Sequence, residues 1–281
     1  MRYGRFCMLF LLPALFLLSG CRRGAEKETV SVTILPQKYL VERVAGELMD
    51  INVLVPPGMN PATCDLTTGV LKKLHDSRIC FTVGNLPFET AQLYPVLQGT
   101  AIEVIRQADG LELMPGSCGH AADPHVWFTP RNAVLMAEEI CRVLGKTYPG
   151  YRERFAANLE QLRREFAGVD SLAAAALAGK AQRSFLIYHP ALTYFAGAYG
   201  LEQLSIEEEG KEPSPGHLKK LVDRIREQEI PLVFVQSQFD TQHAESIARE
   251  TGIRVVPIDP LSPDLKTELL RVIRILSENL R

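Results

Sequence analysis

Two histidines and one aspartate stand where this sequence can most readily build chemistry. His125 lies in the run Asp123-Pro124-His125-Val126-Trp127, His189 follows an apolar stretch at 184–188, and Asp259 follows another at 254–258. A polar residue just beyond a strand of an open parallel sheet sits at the crevice where such sheets bind ligands. Two imidazoles and a carboxylate suit zinc and several other first-row divalent ions. Each residue also has a plain structural reading. A histidine after a strand can be a hydrogen-bonded loop residue, Asp259 before Pro260 can open a turn, and Trp127 can be core. The other histidines carry less. His75 falls near a helix C-terminus, where partial positive charge is tolerated, and His217 and His243 fall in first turns and are expected to be exposed.

The segments that must position these residues alternate between strand-like and helix-like patterns. Strands are expected at 30–35, 51–55, 78–83 and 101–105, with helices at 38–48, 66–74 and 89–97. A second set of strands is expected at 184–188, 201–206, 232–235 and 254–258. Ser214-Pro215 starts a helix that buries Leu218, Leu221, Val222 and Ile225, and Asp240 caps one that ends at Gly252. A last helix buries Leu265, Leu269, Val272, Ile273 and Leu276. Between the two sets, Phe155, Leu159, Leu162, Phe166, Val169 and Leu172 recur every three or four residues. Continued to Ala178, that helix would be roughly 40 Å long and able to cross between two lobes. The expected fold class is therefore α/β: two lobes, each a mostly parallel sheet flanked by helices, joined by one long rigid helix over a cleft. The expected boundaries are 30–147, 148–180 and 181–281. The stretch 106–124 has no period and reads as a functional loop containing Cys118 and His120.

The N-terminus has its own logic. Arg2 and Arg5 precede an apolar run at 6–18 that ends in Leu18-Ser19-Gly20-Cys21. Basic, apolar and small residues in that order read as a secretory signal over 1–20, too short for a comfortable membrane span. Leu-Ser-Gly-Cys resembles the bacterial lipobox, which makes Cys21 the expected lipidation site, 21–29 a tether, and the cell envelope the expected location. In that oxidising compartment Cys64, Cys80, Cys118 and Cys141 could pair in three ways, and Cys80 and Cys141 read as buried thiols. With a net charge of -2 and acidic and basic residues balanced, nucleic acid is not an expected partner. A monomer is expected.

Several motifs taken together carry a family resemblance. They are Asp123-Pro124-His125-Val126-Trp127, the run Tyr188-His189-Pro190-Ala191 leading to Tyr194-Phe195-Ala196 and Tyr199-Gly200-Leu201, and Pro257-Ile258-Asp259-Pro260-Leu261. Glu209-Gly210-Lys211-Glu212-Pro213-Ser214-Pro215 and Gln238-Phe239-Asp240-Thr241 add to them. In this order they resemble the zinc/manganese solute-binding proteins of ABC importers (ZnuA- and TroA-like), across nearly the whole chain after the signal. The resemblance implies metal held between the lobes by His125, His189 and Asp259, with Zn2+ favoured and Mn2+ second. It also implies a membrane permease and its ATPase as partners. One departure matters: the family usually supplies a first histidine in a Gly-x-x-Pro-His type motif, and this chain reads Gly58-Met59-Asn60-Pro61-Ala62. Water is the simplest fourth ligand, His120 the next, and Cys64 or Cys118 the last. Two other classes stay open. One is a zinc hydrolase with Glu209 or Asp123 as general base, and the other is an adhesin that has lost its metal.

Overall fold

The computed structural model describes residues 27–116, 122–208 and 210–281. The expected signal and lipidated Cys21, the loop residues Cys118 and His120, and Glu209 lie outside the described residues.

Among the described residues, eight strands form two four-stranded sheets, parallel throughout. The first contains β1 (Glu28–Val32), β2 (Met49–Val53), β3 (Ile79–Thr82) and β4 (Glu103–Arg106) in the order β2-β1-β3-β4. The second contains β5 (Ser184–Ile187), β6 (Glu202–Ser205), β7 (Leu232–Gln236) and β8 (Arg254–Ile258) in the equivalent order β6-β5-β7-β8. In each sheet the chain reverses its direction of travel between the two central strands, which opens a crevice at their carboxyl ends. β3, β5 and β7 are buried at every position, which explains why they read as continuous apolar runs rather than alternating ones.

The first lobe carries helices α1 (Leu35–Ala45), α2 (Thr68–His75), α3 (Tyr94–Leu97, preceded by a π turn over Glu89–Leu93) and α4 (Pro130–Thr147). Helix α4 has no counterpart among the expected elements. Its signals were nonetheless present: Thr129 accepts a hydrogen bond from the Asn132 amide, Pro130 occupies the first turn, and Ala133, Met136, Ala137, Ile140, Val143 and Leu144 form its buried stripe. The helix expected at 38–48 begins earlier, at Leu35, because Pro36 is well placed in a first turn.

The connecting helix α5 (Arg152–Leu177) has 26 residues, about 39 Å at 1.5 Å per residue. It buries Phe155, Leu159, Leu162, Phe166, Val169, Ala173 and Leu177. Leu172, expected in that stripe, is 48% exposed, and Ala173 takes the inward position instead. The second lobe adds α6 (Thr193–Ala198), α7 (Pro215–Glu227), α8 (Gln242–Thr251) and α9 (Leu265–Asn279). Ser214 caps α7 as its position suggests. Thr241, not Asp240, is the cap residue of α8. Asp240 instead accepts from the Gln242 amide at 2.9 Å, and Gly252 closes the helix in the left-handed conformation.

Helix α5 packs against α1 and α4 on one side and α9 on the other, so one continuous apolar core runs through both lobes. Glu165 on α5 repeats this bridging in charge, pairing with Arg43 of α1 and Lys266 of α9 at 2.7 Å each. A second core covers the opposite face of the β5–β8 sheet, where α7 and α8 bury Leu221, Val222, Ile225, Ala244 and Ile247. Cys64, Cys80 and Cys141 are free thiols, and Cys141 is only partly buried. Among the described residues no helix is long and apolar enough to cross a membrane.

Candidate metal centre

The Asp-Pro-His run places the first imidazole. Asp123 Oδ1 accepts from the His125 backbone amide at 2.8 Å, closing a tight side-chain turn around Pro124, and also pairs with His125 Nδ1 at 2.9 Å. Asp123 is nearly sealed, 2% exposed. Its Oδ2 accepts from Thr193 Oγ1 at 2.6 Å, and its carbonyl accepts from Tyr194 Oη at 2.8 Å. Asn132 Nδ2 donates to the Val126 carbonyl, so α4 fixes the other end of the same loop. A residue of the first lobe's last loop is therefore held by the start of α6 in the second.

The second imidazole rises from the end of β5. Register matches Ile187 with Ser205 on β6 and with Phe234 on β7. Two residues further along, His189 stands between Glu207 on one side and Gln236 on the other. Gln236, which is 2% exposed, accepts from the His189 amide at 3.3 Å and donates to its carbonyl at 2.7 Å. Glu207 Oε2 pairs with His189 Nδ1. Phe239 stacks on the ring with centroids 4.7 Å apart and planes 15° off parallel. Burial pushes the His189 imidazole below its ordinary pKa, a fall that the Glu207 contact offsets only in part. Asp123 ends below the usual carboxylate range although its burial pulls upward, because its bonds to His125 and Thr193 favour the charged form.

Both rings are thus tethered through Nδ1 to a carboxylate, and a carboxylate only accepts. Each Nδ1 therefore carries a hydrogen, and in a neutral ring the Nε2 presents a lone pair. Those two Nε2 atoms face one another at 3.3 Å, with the rings edge to face and their centroids 5.1 Å apart. Two lone pairs so placed repel unless a cation lies between them. His189 is a poor seat for a proton, since burial disfavours its imidazolium. A tetrahedral zinc ion with Zn–N bonds of about 2.05 Å would separate its nitrogens by about 3.3 Å. Carboxylate–imidazole–metal relays of this type orient the ring and raise its basicity.

Sequence and structure can be compared residue by residue. His125 and His189 come together. Asp259 follows β8 as expected, but its Oδ1 is engaged by the Leu261 amide at 3.1 Å and by Gln238 Nε2 at 3.3 Å, while its own amide donates to Glu268. Among the described residues, no group of three His, Cys, Asp or Glu side chains is gathered closely enough to hold an ion. Trp127 is buried, as its plain reading required, yet its Nε1 donates to the Pro260 carbonyl at 2.8 Å and so ties the two lobes at the cleft. Cys64 is buried beside the Asp65 carbonyl. His75 ends α2 as expected, whereas His217 and His243 are partly buried rather than exposed, and His217 Nε2 lies 3.0 Å from the Ser205 carbonyl.

The histidines open onto a cavity of about 50 Å3 whose walls include Ala62, Leu86, Trp127 and Phe239. Residues 30–281 match the family described as ZnuA, zinc-uptake complex component A, periplasmic. The chain belongs to the ZnuA family. A crystal structure of ZnuA superposes with a TM-score of 0.85 at 31% identity, over 90% of this chain and 99% of that one. The zinc-binding lipoprotein AdcA of Streptococcus pneumoniae is 26% identical over 272 residues, 91% of this chain. This chain spans only about half of AdcA, 53% of its length. A putative metal-binding protein of Chlamydia trachomatis is 24% identical over 94% of this chain and 97% of its own. ZnuA membership accounts for the two-lobe fold and for a cleft that joins the lobes.

Glu207 and Gln236 are the residues that sequence reasoning missed. In the sequence Glu207 stands in an acidic run with Glu208 and Glu209, a pattern that reads as a solvated loop. The signal that singles it out is its place two residues past β6, next to the strand that leads into His189.

Proposed function

We propose that this chain captures a divalent metal ion, zinc before manganese, and delivers it to an ATP-driven membrane importer. The observation that carries this reading is the facing pair of Nε2 atoms, 3.3 Å apart, each backed by a carboxylate on the opposite ring nitrogen. In this reading His125 and His189 are ligands, Asp123 and Glu207 fix their tautomers, and Asp259 is the third donor from the loop after β8. The bound ion is cargo. Its 2+ charge offsets the two carboxylates behind the rings, and Asp259 adds the negative charge of a third. The family description and the AdcA relative support zinc as the cargo and an extracytoplasmic location, and the run Leu18-Ser19-Gly20-Cys21 supports Cys21 as the lipid anchor. The permease and ATPase of the importer are the proposed partners. The divisions 30–147, 148–180 and 181–281 serve as working boundaries for the two lobes and the connecting helix.

A carrier suits the site better than a catalyst. Asp123, the nominal general base of a hydrolase, is buried and already engaged by the His125 amide, the His125 ring and the Thr193 hydroxyl. The test is calorimetric titration of residues 22–281 with Zn2+ and with Mn2+, beside His125→Ala and His189→Ala. One saturable site that either substitution abolishes is the expected result. Binding of neither ion by the intact chain would sink the proposal.

A further inference from the structure

The cavity beside the two histidines is larger than a bare ion needs and is walled unlike a water site. About 50 Å3 accommodates roughly two to four water-sized groups. Ordered water needs two to four polar partners each. Here Pro61, Ala62, Leu86, Pro87, Pro260 and Leu261 supply much of the wall, and amides of Asn60 and Gln238 supply polar points on it. Ala62, which lines the same cavity as the two imidazoles, stops at Cβ and fills little of it. Asp259 lies outside that lining, held by the Leu261 amide and by Gln238. Even with Asp259 turned inward, an ion held by three protein groups keeps at least one coordination position for something else.

We infer that the cargo is a metal ion that brings its own small chelating ligand. The chemistry that fits is an amino-carboxylate of a few heavy atoms. Its nitrogen and carboxylate oxygen would complete the coordination, its carbon would rest on the apolar wall, and its carboxylate would meet the side-chain amides of Asn60 and Gln238. No covalent bond is made or broken. The inference rests on the metal-capture reading and names the substrate class of the same site. It also makes Ala62 a specificity determinant, since the missing side chain is what admits the second component.

The test is zinc binding at a fixed free Zn2+ concentration, set by a chelator too large for the cavity, with and without millimolar glycine. Because free zinc is held constant, glycine that merely competes for the metal leaves binding unchanged. A ternary site predicts an apparent zinc affinity about five- to a hundredfold higher with glycine, and the same factor in glycine affinity when zinc is present. Native mass spectrometry should show protein, zinc and glycine in one species. Ala62→His should bind zinc without regard to glycine, since an imidazole would fill the open space. Ala62 is exposed and in an ordinary backbone conformation, so that variant should fold. Zinc binding by the unaltered chain that is indifferent to glycine, with no ternary mass, would overturn this inference and leave the capture reading standing. No zinc bound under either condition would overturn both.

Discussion

Replacing Asp123 with Asn removes one charge from the proposed relay while leaving its geometry nearly intact. The Asn carbonyl can still accept from the His125 amide and ring, now at 2.8 and 2.9 Å from Asp123 Oδ1. The new amide nitrogen would face Thr193 Oγ1, which can rotate to accept. What is lost is the carboxylate that favours Nδ1–H on His125 and strengthens Nε2 as a donor to metal. Partners of this type contribute about 10- to 100-fold in metal affinity, or about 1.4–2.7 kcal/mol. The variant should therefore bind zinc about 10- to 100-fold more weakly by competition with a chromogenic chelator, with its circular dichroism spectrum unchanged. Unaltered zinc affinity in a folded Asp123→Asn protein would refute the reasoning. In that case the Asp123 contact merely closes a turn, and the tautomer argument for both rings loses its support.

Two further outcomes concern stability. Glu165 has its carboxyl held well below the usual 4.5, at about 2, first by its hydrogen bond to Arg43 and then by Lys266. A carboxyl with a depressed folded-state pKa contributes stability above the unfolded value and loses it as pH falls toward the folded one, so this contribution should fade between pH 4.5 and 2. At about 1.36 kcal/mol per pH unit the displacement amounts to about 3 kcal/mol, but the side chain is 23% exposed and solvent screening reduces this to about 1 kcal/mol. Glu165→Gln should lower urea-unfolding stability by about that amount at pH 7, and the difference should vanish near pH 2 if both proteins still unfold cooperatively there; a difference independent of pH would contradict the assignment. Gln236→Leu should cost more, about 2–4 kcal/mol, because it strands the backbone amide and carbonyl of His189 inside the protein, and a midpoint shift in thermal unfolding measures it.

Much of the fold was legible because it rests on periodicity. The eight strands fall close to their expected places, and the stripe on α5 is nearly as drawn. Helix α4 escaped although Thr129 and Pro130 mark its start, because they follow the aperiodic loop at 106–124 by only a few residues. Of the site, the two imidazoles were legible because each follows a conspicuous local pattern. Their supports were not. Glu207 looks like any surface glutamate until the β5–β6 register sets it beside His189, and Gln236 reads only as the polar end of an apolar strand. Pairing between strands is information that a single segment does not carry.

The two halves of the site are built by different means, and this bears on how the cleft can move. His189 is fixed by its own sheet: Glu207 and Gln236 come from the strands on either side, so the ring and its supports should travel as one body. His125 is fixed by contacts that cross the lobes, since Asp123 is held by Thr193 and Tyr194 of α6 and Trp127 by the Pro260 carbonyl. Opening the cleft would break those bonds, withdraw the carboxylate from its partners and loosen His125, while His189 stayed set. On the proposed function, release would begin at His125. Under the proposed function, an importer would need only to separate α6 and the loop after β8 from the Asp-Pro-His loop, a motion of a few contacts that leaves the long helix α5 and the shared core in place.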